Sequence, residues 1–168
     1  MKEMAVIIRE AEWEEIEAIA DLAKKIWTEH YTPIIGVNQV KYMLGKFQSA
    51  SVIKEDIKER GYIYFIATDK DHLIGYCAIK YEDKELFLSK IYIEKESRGQ
   101  GIAKCFLDKS IEKAQNKELS SIYLTVNKNN HPSIAAYRKM GFTITEEVVS
   151  DIGGGFVMDD YIMRRNLK

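Results

Sequence analysis

Arg98-Gly99-Gln100-Gly101-Ile102-Ala103 is the stretch whose residue types and spacing point most directly to chemistry. Two glycines follow an arginine, between a β-rich run ending Ile91-Tyr92-Ile93 and a run of helical periodicity. The start of a helix leaves about four backbone N–H groups without intrahelical partners, and the helix dipole favours negative charge there. Glycine lets the backbone approach a phosphate closely. A glycine turn with no ligand is the plain alternative, and the hexapeptide alone does not separate the two. It is not a P-loop, because no Gly-Lys-Ser/Thr follows. It fits a dinucleotide fold poorly, because Lys104 stands where a third glycine belongs and the preceding strand belongs to a meander.

The elements that must position this turn follow from periodicity. Residues 5 to 9 (AVIIR) form a short β-branched strand. From about 11 to 30, Ile16, Ile19, Ala20, Ala23, Ile26 and Trp27 recur at helical spacing, and Thr32-Pro33 should end that helix. Residues 38 to 60 predict one or two more helices. YIYFIAT, LIGYCAIKY and ELFLSKIYIE are three β-rich runs joined by short polar turns, which predicts an antiparallel meander. A helix from about 101 to 118 presents Ala103, Leu107, Ile111 and Ala114 on one face. SIYLTVN is a strand, and a short helix from Pro132 to Met140 is stopped by Gly141. FTITEEVV and FVMDDYIMRR form a final hairpin through Ile152-Gly153-Gly154-Gly155. The expected class is α/β (α+β): one domain, 1–168, with a mixed, mostly antiparallel seven-stranded sheet and helices on both faces.

The segment after the turn narrows its reading. Arg98, Gly101 and Ala103 resemble the Q/R-x-x-G-x-G/A signature of the GNAT superfamily of acyl-CoA N-acyltransferases. VNKNNHPSIAAYRKMGF, 126 to 142, resembles that family's N-x-x-A-x-x-x-Y-x-x-x-G-F segment through Asn130, Tyr137, Gly141 and Phe142, with Ser133 where Ala is commoner. Element order agrees along nearly the whole chain.

The resemblance implies acetyl-CoA as acyl donor and no metal. Arg98, Gly99, Gln100, Gly101, Ile102, Ala103 and Lys104 would offer backbone donors to the pyrophosphate of coenzyme A. Ile91, Tyr92 and Ile93 would pair with the pantetheine arm, and Asn130 and Ser133 would contact the cofactor from the other side. An extended arm completing a strand edge is physically sound, since such an edge offers unpaired N–H and C=O groups.

Acetyl transfer to an amine has three demands. A Lys-like amine titrates near pH ~10 and must lose its proton. The thioester oxygen needs a donor as it gains charge. The departing thiolate, with a reference pKa of about 8.5, benefits from a proton. By resemblance Tyr137 is the catalytic acid at the sulfur, and a main-chain N–H at Ile91 or Tyr92 serves the oxygen. The transfer is direct, so Cys77 and Cys105 are not acyl carriers. Two departures bear on the base: Phe87 and Thr125 stand where some members carry glutamates, which weighs against histone-type or N-terminal-peptide acetylation. Glu29, His30, Glu85, Asp159 and Asp160 remain candidates. His131 reads as a helix-start contact.

The acceptor side falls on Ile26 to Pro33, which is similar to small-amine and polyamine acetyltransferases. Trp27 and Tyr31 are wall candidates, with Trp27 equally a core residue. Asp159 is the substrate-binding candidate on the last strand. Because neighbours on a strand face opposite ways, at most one of Asp159 and Asp160 faces a cleft. The reading is N-acetylation of a small primary amine, with polyamines among the candidates. Protein lysine or N-terminal acetylation and a non-catalytic acyl-CoA-binding module are the alternatives. A homodimer through terminal strands is one candidate assembly.

Composition excludes other classes. Twenty-five Lys plus Arg against 26 Asp plus Glu leave a net charge of −1, with no basic tract for nucleic acid or a membrane surface. No apolar run reaches the roughly 18 residues of a membrane span. The start, MKEMAVIIREAEWEE, turns acidic too early for a signal peptide. Two cysteines without metal-ligand spacing, set among apolar residues, predict buried free thiols and a cytoplasmic protein.

Overall fold

The computed structural model describes residues 5–168. Residues 1–4, which open the stretch read as lacking a signal peptide, lie outside the described residues.

Strand β1 (Val6–Glu10) leads through one 3-10 turn (Trp13–Glu15) into helix α1 (Ile16–His30). Ile16, Ile19, Ala23, Ile26 and Trp27 form its buried stripe. Thr32-Pro33 was expected to end the helix. It also begins the next one, α2 (Thr32–Ile35), because Pro33 sits in a first turn where its missing N–H costs nothing. Helices α3 (Val37–Phe47) and α4 (Ala50–Glu59) follow, the second capped by Ser49 Oγ, which accepts from the Val52 N–H at 3.3 Å.

Strands β2 (Tyr62–Asp69), β3 (His72–Tyr81) and β4 (Glu85–Ile93) make the antiparallel meander. Then come α5 (Ile102–Asn116), β5 (Ser121–Asn127), α6 (His131–Lys139), β6 (Thr143–Gly153) and β7 (Phe156–Asn166). The seven strands form one sheet in the order β1-β2-β3-β4-β5-β7-β6, in which β4 and β5 are parallel. The central strands are buried on both faces. Tyr64, Ile66, Tyr76 and Ala78 pack against α1, while Phe65, Cys77 and Ile79 pack against α5.

The sequence expectation placed α5's apolar face on Ala103, Leu107, Ile111 and Ala114. The buried positions are Ile102, Phe106, Leu107, Ser110 and Ala114, so the stripe is rotated around the helix. Phe106 fixes that rotation, because the bulkiest side chain takes the deepest place and is fully buried. Cys105, next to it, is turned outward and exposed. Cys77 alone is the buried thiol expected of both.

One irregularity opens the sheet. Ala78 pairs with Lys90 and Ile79 with Leu88, so Ser89 is an extra residue on β4. Such a bulge bends and twists its strand. On the other side, β4 pairs with β5 only across Glu85–Phe87 and Ser121–Tyr123. Beyond Phe87 the two parallel strands diverge, and their facing backbone edges go unpaired.

None of the described helices is long and apolar enough to cross a membrane.

Candidate active site

The split between β4 and β5 feeds two clefts, one on each side of the sheet. The first, about 300 Å³, lies toward α5 and α6. Gly99 and Gly101 sit at its mouth with φ +79°, a conformation that favours glycine. Nothing lies within 4 Å of where a Cβ would stand on either, so the space before the turn is open. The first α5 hydrogen bond runs from Cys105 N–H to the Gly101 carbonyl at 3.1 Å, leaving the amides of Ile102, Ala103 and Lys104 without an intrahelical acceptor. Arg98 ties the turn to the strand, its Nε donating to the Ile93 carbonyl at 3.0 Å. Buried Ser97 donates to Glu94 at 2.9 Å and braces the same corner. Free amides at a helix mouth, followed by an unpaired strand edge, fit a phosphate group joined to an extended amide-bearing arm.

Tyr137 lines this cleft from α6. Its ring packs edge-on to Phe142, centroids 5.9 Å apart. Protein surrounds much of the side chain at the cleft wall. That desolvation pushes the phenol far above its usual range. It is therefore a protonated donor at any working pH.

The second cleft, about 270 Å³, lies toward α1 and α3. Trp27 and Tyr31 stack along one wall with ring centroids 4.4 Å apart. Helix α3 roofs the cleft and is latched to the β6–β7 hairpin. Tyr42 donates to the Ile152 carbonyl at 2.6 Å, Lys46 Nζ reaches the same oxygen, and Gln39 donates to the Val157 carbonyl at 2.7 Å. The hairpin's Gly154 is needed there, since a Cβ on it would lie 2.8 Å from the Tyr42 ring.

Tyr31, Ser89, Tyr92, Thr125 and Val126 line both clefts, so the two meet at the divergence of β4 and β5. A hydrogen-bonded chain braces this junction. Asn130 Oδ1 lies 3.1 Å from His30 Nε2, and Asn130 Nδ2 donates to the Tyr31 hydroxyl at 3.3 Å. Burial is the main reason that the Tyr31 phenol is pushed up to about 12.

Of the residues expected at the cofactor, Ile91, Tyr92, Ile93, Arg98, Gly99, Gly101, Ile102, Ala103, Asn130, Ser133 and Tyr137 all line the first cleft. Gln100 and Lys104 do not: both are exposed, and Lys104 pairs with Asp108 at 2.9 Å one turn along the helix. Asn130 is fully buried with both ends of its amide engaged, so its side chain serves as a strut rather than as a free ligand group.

Trp27 is both core and wall: it is 4% exposed and lines the second cleft. Asp159, expected at the acceptor, does not line this cleft. It points outward and pairs with Lys128 at 2.8 Å. Strand alternation then turns Asp160 inward, where it is 7% exposed and lines the second cleft. Desolvation, and next the charge of Asp159, push Asp160 up to about 6. The remaining base candidates separate by position. Glu85 is held by Arg164 and Ser121, Glu29 is exposed, and His30 lines the first cleft. Lys90 was not foreseen. It lies buried on β4 in the second cleft, donating to the Phe47 carbonyl at 2.6 Å and the Tyr64 hydroxyl at 2.7 Å. Its place in an apolar-looking run, Leu88 to Ile93, was the available signal.

The profile of the acetyltransferase (GNAT) family matches residues 16–142, which include both the glycine turn and the Asn130–Phe142 segment. The chain belongs to that family, and its class is N-acetyltransferase with acetyl-CoA as acyl donor. Among relatives, the spermidine N(1)-acetyltransferase of Thermoplasma acidophilum is 22% identical over 160 residues, covering 93% of this chain and 97% of that protein. N-acetyltransferase 8 of Homo sapiens is 26% identical over 130 residues, covering 74% of this chain and 53% of that protein. This chain thus spans about half the length of that relative. In overall fold it is similar to the crystal structure of PaiA N-acetyltransferase from Thermoplasma acidophilum in complex with coenzyme A. The TM-score is 0.82 at 20% identity, covering 97% of this chain and 99% of that one.

Proposed function

We propose that this protein transfers an acetyl group from acetyl-CoA directly to the primary amine of a small molecule. The observation that carries the reading is the second cleft. It is roofed by the α3–hairpin latch, holds a buried carboxylate, Asp160, and opens onto the first cleft where β4 and β5 part. A roofed chamber suits a small acceptor better than a polypeptide.

The bound coenzyme supplies an activated thioester. The chain's own groups do the rest. The glycine turn holds phosphate through backbone amides, and the free β4 edge at Ile91 to Ile93 orients the arm. A main-chain N–H of that edge stabilises the oxygen as it gains charge. Asp160, ionised above about pH 6, holds the acceptor's ammonium and draws its proton away from the nitrogen. Tyr137 Oη, kept protonated, gives its proton to the departing sulfur. Tyr31 and Trp27 wall the amine's path. Cys77 is buried, and burial pushes its thiol up to about 12, which does not suit an acyl carrier.

Thiol release from acetyl-CoA tests this against a panel of polyamines, diamines, amino acids, aminoglycosides and short peptides. Release with small primary amines is the expected result. Release with peptides alone would overturn the reading in favour of protein acetylation. Binding of acetyl-CoA without turnover of any amine would favour a sensing module.

A further inference from the structure

Lys90 and Asp160 are the two formally charged side chains lining the acceptor cleft among the described residues. They differ in sign, and neither is hydrogen-bonded to an opposite charge; Lys90 has only a long ion pair with Asp56. Asp160 forms no ion pair within 4.0 Å among the described residues, and Lys128 instead contacts Asp159. Lys90 spends two of its three protons on Phe47 and Tyr64. Its nearest carboxylate oxygen, on Asp56, is 3.9 Å away, and the other oxygen of Asp56 is held by Arg60 at 2.7 Å. Its third proton therefore has no acceptor within hydrogen-bond reach among the described residues.

Gln48 stands in the same cleft, 4% exposed. Its Oε1 accepts from Tyr76 at 3.0 Å, which leaves its amide N–H groups without a partner among the described residues. Burial draws Lys90 down to about 8, so at neutral pH it is still mostly an ammonium. One end of the chamber thus offers spare donors and a positive charge, and another offers a bare carboxylate. Spare donors beside a positive charge are groups that a ligand carboxylate can meet.

We propose that the acceptor is an amino-carboxylate: a primary amine with a carboxylate several bonds from the nitrogen, its ammonium at Asp160 and its carboxylate at Lys90 and Gln48. The inference rests on the small-amine reading above and narrows it. A polyamine would bring a second ammonium toward Lys90, and like charges in a desolvated chamber repel. The spacing follows from the sheet. Lys90 is on β4 and Asp160 on β7, the two strands that flank β5, so their backbones are roughly 10 Å apart before the splay widens them. That separation suits an ω-amino acid or a side-chain amine of an amino acid, and not an α-amine beside its own carboxylate.

The test compares matched probes on the intact protein: 6-aminohexanoate and its shorter homologues, 6-aminohexanamide, and 1,6-diaminohexane. The expected result is a kcat/KM at least tenfold higher for an ω-amino acid than for its amide or the diamine. Lys90→Met should bring that ratio toward one, with coenzyme A affinity reporting that the variant has folded. Equal or better use of the diamine or the amide overturns the inference and leaves the small-amine reading standing. A preference that survives Lys90→Met in a variant that binds coenzyme A also overturns it. Turnover of peptides alone overturns both readings.

Discussion

Asn130 Oδ1 lies 3.1 Å from His30 Nε2, and through that contact the end of α1 is fastened to the start of α6. The other arm of the same amide reaches the Tyr31 hydroxyl at 3.3 Å. Tyr31 lines both clefts, so one fully buried side chain, Asn130, braces the residue at which the cofactor side meets the acceptor side. Asn130→Ala strips two polar groups of their partner at once. Stability should fall by about 2–3 kcal/mol in chemical denaturation, because a buried polar group left unpaired costs roughly 1–3 kcal/mol. A near-native midpoint would show that water replaces the strut.

Tyr137→Phe removes a hydroxyl and keeps the ring that packs on Phe142. Binding of acetyl-CoA should hardly change. The loss should fall on kcat, by about 10² or more, the usual scale of a general acid. Steady-state thiol release separates kcat from KM. Full activity would remove Tyr137 from the sulfur.

Asp160 should write a pH signature on both activity and stability. Because the carboxyl is raised from 3.8 to about 6, kcat/KM should climb as pH rises through about 6, and Asp160→Asn should erase that limb. The stability effect has the opposite sense. A carboxyl raised on folding favours the native state most below its unfolded value, and that contribution is lost as pH rises through its folded value. Wild type therefore carries a cost that appears between about pH 4 and 6 and persists above. Asp160→Asn should melt higher than wild type at pH 7.5, by an amount worth about 1–2 kcal/mol once screening by cleft water is allowed for. The gap should close below pH 4. Thermal melts across that range check the sign.

Gly75 has no positive φ and no turn to make, yet it has no room for a methyl group. A Cβ there would lie 2.9 Å from the Tyr92 carbonyl and 2.8 Å from Ile93 Cδ1. The isoleucine tip can swing away, but the backbone oxygen belongs to the β4 stretch that lines the first cleft. Gly75→Ala should destabilise the fold by about 1–3 kcal/mol, as overpacking does, and should weaken coenzyme A binding as the strand shifts. Calorimetric titration with coenzyme A and a thermal melt would report the two effects separately.

Much of this molecule was legible as sequence, for physical reasons that act locally. The glycine turn at 98–103, the β-rich apolar runs YIYFIAT and LIGYCAIKY, and the stop at Gly141 are settled by backbone sterics and by neighbours a few residues away. Matching residues at fixed spacing, Arg98 to Ala103 and Asn130 to Phe142, were enough to indicate the family. Tertiary structure decided what depends on residues far apart in the chain. Strand alternation allowed one of Asp159 and Asp160 to face a cleft, but β7's pairing with β5 and β6 was needed to choose Asp160. The outward turn of Cys105 depended on Phe106 taking the deeper place under the sheet. Lys90 looked like an ordinary strand lysine until Phe47 at the end of α3 and Tyr64 on β2 closed around it beside the acceptor chamber. The charge of a buried group is governed by what surrounds it in space, and a linear chain does not carry that information.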